Sequence, residues 1–263
     1  MTTEIILLKL KTNAVRCEVY VNGVPVTYLE SGEAKGGVDI PVNQYLIEGD
    51  NRFQVIMHAG VEPGHIMKSW AHHGLAQSYT GDDSLTISCV NKDTKKVFFT
   101  ENWQGALQPT PFILTKSLQL SPPYSTRWLW RQAAPLEPTD IPAGYHYLKS
   151  LYDLIKNGNA KAFVDTSQVK FKEHGIAYGV GMKGMEKNMI SVINSHRKSD
   201  DYSMLPINRN LLQARLAANN KILEFRRADW GHAIQFNNKH NSDNSFYLPI
   251  SIGKISNEWK VLK

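Results

Sequence analysis

Residues 206–263 read PINRNLLQARLAANNKILEFRRADWGHAIQFNNKHNSDNSFYLPISIGKISNEWKVLK, and this stretch decides the fold. Five runs in it read as antiparallel strands: residues 210–217, 222–227, 232–236, 246–252 and 259–262. Polar turn signals separate them, beginning with Ala218-Asn219-Asn220-Lys221 and continuing at 237–244 and 253–258. The residues between 142 and 201 carry a different period and supply helices to cover that sheet.

The first of those helices starts cleanly. Thr139-Asp140 caps it and Pro142 falls in its first turn, where a missing N–H does no harm. Tyr145, Leu148, Leu151, Tyr152 and Ile155 then recur at spacings of three and four. Asn157-Gly158-Asn159 ends it, and a short helical piece follows at 160–164. Gly175, Gly179, Gly181 and Gly184 predict an irregular loop over 175–184. It is not a phosphate loop, having no Gly-Lys-Ser/Thr and no strand before it. Residues 185–197 form the next helix, with Met189, Val192 and Ile193 on its buried side.

Ahead of the helices, Pro122, Pro123, Pro135, Pro138 and Pro142 crowd one segment, as a boundary would. That segment also holds Tyr124, Trp128 and Trp130, so it is expected to be packed, with the two tryptophans cementing the junction. The competing expectation makes Trp128, Trp130 and Trp70 a partner surface, since aromatic residues dominate interface hot spots.

Residues 4–120 read as a β-sandwich. Val15, Cys17, Val19 and Val21 alternate with polar or amphipathic neighbours, leaving one buried face. Asn22-Gly23 follows directly and predicts a type I′ hairpin into 24–29. Further strands are expected at 5–10, 38–42, 52–58, 85–90, 96–100 and 114–120. Residues 60–82 interrupt the strands with a long loop, which in a compact domain is functional or an insertion. His65, His72 and His73 lie in it and invite a zinc reading. Their spacing is not a helical i, i+4 pair and no carboxylate or thiol joins them, so no metal and no other cofactor is expected.

Two resemblances rest on these residues. Leu223-Glu224-Phe225-Arg226-Arg227, Tyr247-Leu248-Pro249-Ile250-Ser251-Ile252 and Gly253-Lys254-Ile255-Ser256-Asn257-Glu258-Trp259-Lys260-Val261, after a long, a short and a third helix, resemble the nuclear transport factor 2 family, the cystatin-like cone. That likeness implies a helix-covered curved sheet, with Trp259 packed beneath it. The fold hosts enzymes, binding modules and scaffolds, so it implies no single activity. Val21-Asn22-Gly23-Val24-Pro25-Val26, Asp39-Ile40-Pro41-Val42 and Leu46-Ile47-Glu48-Gly49-Asp50-Asn51-Arg52-Phe53 resemble galactose-binding-like jelly-roll modules. They imply the fold and no sugar-binding residue. The expected class is therefore α+β: a β-sandwich domain at 1–120, a Pro/Trp-rich packed linker at 121–141, and a nuclear transport factor 2-like domain at 142–263.

Composition narrows the function classes. The chain has 263 residues, 42% hydrophobic and 21% charged, an ordinary globular balance. Its longest apolar run, Ile5 to Leu8, is far short of a membrane span, and the N-terminus lacks a basic leader region. A cytoplasmic location is expected, and Cys17 and Cys89 fit it as buried thiols, with a disulfide as the alternative. A net charge of +6 admits an acidic partner. The basic residues are scattered and match no nucleic-acid motif, so nucleic acid is not expected. An open sheet face favours pairing of two copies through the C-terminal sheet.

A cone implies a pocket between sheet and helices. Asp229 and His232 are the candidate catalytic pair, with Tyr152, His146 and Trp230 lining the pocket and Asp165 a further helical carboxylate. The plain alternative reads Asp229-Trp230-Gly231 as a turn. No nucleophile elbow, Cys–His signature or Walker sequence is present. The reading is a non-catalytic binding protein engaging a protein partner or small ligand, of which inhibitor or immunity-type proteins are one class. The alternatives are a nuclear transport factor 2-like enzyme with an Asp/His base acting on a small hydrophobic substrate, and a carbohydrate-binding accessory protein.

Overall fold

The computed structural model describes residues 4–13, 15–29, 37–58, 83–105, 111–120, 128–227, 231–241 and 244–263. The chain divides into two compact units, Met1–Thr126 and Arg127–Lys263. The fold is mixed α+β with four antiparallel sheets. Among the described residues the five α-helices all fall in the second unit.

The first unit holds β1 (Ile6–Asn13), β2 (Arg16–Val21), β3 (Val24–Leu29), β4 (Val38–Pro41), β5 (Gly49–His58), β6 (Ser84–Asn91), β7 (Val97–Gln104) and β8 (Phe112–Leu120). They form two sheets, ordered β4-β1-β6-β7 and β3-β2-β5-β8. Alternation sets the faces: along β5, Asn51, Phe53, Val55 and Met57 are buried and the residues between them are less so. The Phe53 ring meets Phe99 of the other sheet edge-on at 5.3 Å, so the two apolar faces share a core. Asn22 and Gly23 take φ of 55° and 76°, the two positive angles a type I′ turn demands.

One buried side chain ties that turn to the next. Asn51 Oδ1 accepts from Ile47 N at 2.8 Å and from Asn22 Nδ2 at 2.9 Å. Its Nδ2 donates to the carbonyls of Ile47 at 2.7 Å and Gly49 at 3.0 Å. Cys17 and Cys89 are buried on different sheets and neither is in a disulfide, and burial pushes the Cys89 thiol up to about 12.

Residues 128–141, expected as linker, are built into the second unit. α1 (Leu129–Gln132) opens it. Ala134 then bridges to Lys254, and Leu136, fully buried, donates its N–H to the Asn220 carbonyl at 2.8 Å. α2 (Ile141–Lys156) follows a 3-10 turn in which Glu137 and Asp140 form a capping box. Its Leu148, Leu151, Tyr152 and Ile155 stripe is buried. Gly144 sits where α2 meets the sheet, since a Cβ there would collide with Leu223 and stand 3.1 Å from Trp259. Tyr147 stacks on the Trp259 ring at 6.3 Å.

α3 (Ala160–Thr166), α4 (Gln168–Tyr178) and α5 (Met182–Lys198) complete the helices. The loop expected at 175–184 is instead the end of one helix and the start of the next. α4 runs through Gly175 and stops at Gly179, whose φ of 64° is a left-handed cap that glycine adopts without strain. Gly175 is there for closeness, because a Cβ would lie 3.1 Å from the Val180 carbonyl.

Seven strands follow: β9 (Tyr202–Met204), β10 (Leu212–Ala217), β11 (Ile222–Arg227), β12 (Ile234–Asn238), β13 (Phe246–Leu248), β14 (Ser251–Ile255) and β15 (Glu258–Val261). They pair as β10-β11-β14-β15 and β13-β12-β9, and an Arg226–His232 bridge links β11 to the residues leading into β12. The single strand expected at 246–252 is two strands because Pro249 has no N–H for the ladder. On β11, Phe225 faces the helices, its ring 6.0 Å from Tyr145 of α2. Glu224 and Arg226 therefore project from the opposite face.

Candidate functional site

Those two residues begin a cluster of buried charge. Glu224 and Arg226 are 4% and 5% exposed and lie 3.5 Å apart as an ion pair. The Ser251 hydroxyl, across the ladder on β14, donates to Glu224 at 2.8 Å. α4 brings Lys170, Glu173 and His174 to the same region. Glu173 is buried; it accepts from the N–H of Leu129 and from the Lys263 ammonium, the latter at 2.8 Å. Lys263 also lies over the Trp128 ring, 5.1 Å from its centre.

Lys170 differs from the other cations. Among the described residues its Nζ donates to the Pro249 carbonyl at 2.5 Å and has no carboxylate partner. Desolvation pulls its pKa down to about 8; the Lys263 charge adds to the fall and Glu224 opposes it. Lys263 is also lowered by desolvation, with Glu173 holding it back. His174 is lowered by desolvation and then by Lys170 and Lys263.

His232 joins the cluster from the bridge beside β11. The Arg226 guanidinium lies 3.0 Å from its Nδ1 and 3.3 Å from its Nε2, a contact that suits a neutral ring. Desolvation, Arg226 and Lys170 together hold His232 well below the usual histidine range. Its ring stacks on Tyr247 at 5.1 Å, and Tyr247 is half exposed. Three cations, Lys170, Arg226 and Lys263, thus stand among two carboxylates, Glu173 and Glu224, with two neutral imidazoles beside them. Such a setting favours an added anion over an added cation.

Of the candidate catalytic and pocket residues singled out in the sequence, His232 is the one this cluster contains. Asp229 and Trp230 lie outside the described residues, as do Trp70, His65, His72 and His73. His146 is exposed on α2, away from the cluster. Tyr152 belongs to the apolar core, where burial raises its hydroxyl pKa and Asp153 adds to the rise. Asp165 is paired with Lys161 on the surface at 2.6 Å. Trp128 and Trp130, expected either packed or on a partner surface, are 3% and 5% exposed, and the segment that carries them bridges to the second unit through Ala134.

Lys170, Glu173, Glu224, Arg226 and Lys263 carried no expectation. The available signal was charge at alternate positions in the otherwise apolar run Ile222-Leu223-Glu224-Phe225-Arg226. Among the described residues no group of His, Cys, Asp and Glu is arranged to hold a metal ion, and no helix is long and apolar enough to cross a membrane. A scan against family models, a search of curated proteins and a search of solved structures each return no match.

Proposed function

We propose that this chain is a non-catalytic binding protein of two units, whose C-terminal unit holds a small anionic ligand against Lys170, Arg226 and His232. In this reading the second unit is a nuclear transport factor 2-like cone, and the first is a β-sandwich of the jelly-roll, galactose-binding-like kind. Helices preceding a run of antiparallel strands, and Trp259 packed against α2, support the first assignment. The nested pairing of β1 with β6 and β2 with β5 supports the second. Two buried cysteines outside any disulfide support a cytoplasmic setting.

The observation that carries the ligand reading is Lys170. A half-buried ammonium with a backbone carbonyl as its hydrogen-bond partner, its charge disfavoured by desolvation and by Lys263, gains from the arrival of an anion. His232 does not favour the enzyme reading, because a ring pushed well below its usual range is a weak proton acceptor.

Calorimetric titration of the full chain with inorganic phosphate and with succinate, at fixed ionic strength, tests this. Saturable binding is expected, weakened at least tenfold in Lys170→Met. Absence of saturable binding by either anion, or equal affinity in the variant, would remove the reading.

A further inference from the structure

We propose that Lys170 captures its ligand covalently, its amine condensing with the aldehyde or ketone carbonyl of a small oxo acid to form a reversible imine. This rests on the anion reading above and names the ligand class.

Position supports it. The break between β13 and β14 at Pro249 leaves that carbonyl to accept one hydrogen from Lys170 Nζ, at 2.5 Å. A single acceptor fixes the amine while leaving its lone pair directed elsewhere. No carboxylate among the described residues forms an ion pair with Nζ, whereas Lys263 has Glu173 at 2.8 Å to favour its charged form against desolvation. The Lys263 charge disfavours a further cation at Lys170, and Lys170 and Arg226, which both act on the His232 ring, suit the carboxylate of an oxo acid.

With Lys170 lowered to about 8, about a tenth of it is free amine at pH 7, against under about a thousandth for an ordinary lysine. That is the activation that amine nucleophiles require. The step balances without any redox partner. The nitrogen lone pair attacks the carbonyl carbon, the C–N bond forms, and the carbonyl oxygen leaves as water with both amine hydrogens. Hydrolysis runs the same path backwards.

The test is trapping with glyoxylate and sodium cyanoborohydride, followed by peptide mass mapping of the full chain. Reduction should fix the adduct on Lys170 at least tenfold faster than on any other lysine, and inorganic phosphate should slow it. Lys170→Arg keeps the charge and should keep phosphate binding while losing the adduct. Phosphate binding that depends on Lys170, with no preferential adduct, would overturn the imine and leave the anion site standing. Preferential trapping that phosphate does not slow would overturn the anion reading and leave the reactive amine. Uniform labelling of surface lysines overturns the proposal.

Discussion

Replacing Lys170 by methionine should stabilise the second unit at neutral pH, and the gain should disappear in alkali. A pKa drawn from 10.5 to about 8 corresponds to about 3 kcal/mol against the protonated form in the folded state. Part of the residue still meets water, so screening reduces this to about 2 kcal/mol. Methionine keeps the apolar stem but loses the hydrogen bond to Pro249, worth about 1 kcal/mol. The expected net gain at pH 7 is about 1 kcal/mol. Its pH dependence has a definite sign. Between about pH 8 and 10.5 the unfolded chain keeps a proton that the folded chain has released, so wild-type stability rises with pH across that window. Below pH 8 the penalty is complete; above 10.5 it is gone and the variant should be the less stable of the two. Urea unfolding at pH 7, 9 and 10.5, assigned to the second unit by hydrogen exchange of its peptides, measures the crossover. A variant less stable at pH 7, or a difference that does not change with pH, would refute the reasoning. Saturating phosphate should stabilise the wild type and not the variant, because binding to the native state alone raises stability.

The Glu173–Lys263 pair gives the opposite result on truncation. Lys263→Met leaves a buried carboxylate and should cost about 3–5 kcal/mol, while adding Glu173→Gln should recover a large part, read as a double-mutant cycle in urea. In the first unit, Asn51→Ala removes four hydrogen bonds to half-buried turn groups and should cost about 2–4 kcal/mol in guanidinium unfolding. Cys89, buried and raised to about 12, should resist a thiol reagent at pH 8 in the native chain and react once the chain is unfolded.

The strands were legible in the sequence where their faces differed in polarity. Val15 to Val21 alternates and is flanked by Asn22-Gly23, and a strand and its turn lie there, although Arg16 and Glu18 on the polar face are buried as well. Residues 222–227 were read with their observed bounds because turn residues sit on both sides. α4 was not legible, and for a physical reason. It buries Phe171, Glu173 and Ala177, which make no apolar stripe, and its glycines lie where the backbone approaches another chain segment or turns left-handed. The same fact hid the candidate site. A helix whose buried positions include a carboxylate carries no hydrophobic period, and a strand buried on both faces hides Glu224 and Arg226 among Leu223 and Phe225.

Buried ion pairs are weak contributors to stability, and apolar residues of similar size often do as well or better. Glu173 with Lys263 and Glu224 with Arg226 are therefore poorly explained as structural cement alone. Lys170 is harder still, since its ammonium meets a carbonyl where a carboxylate would have neutralised it. Sequences break local rules of this kind at sites where something other than stability is selected. If Lys170 were structural, removing it should weaken the fold at every pH. If it awaits a ligand, removing it should strengthen the empty protein at pH 7 and abolish the response to phosphate.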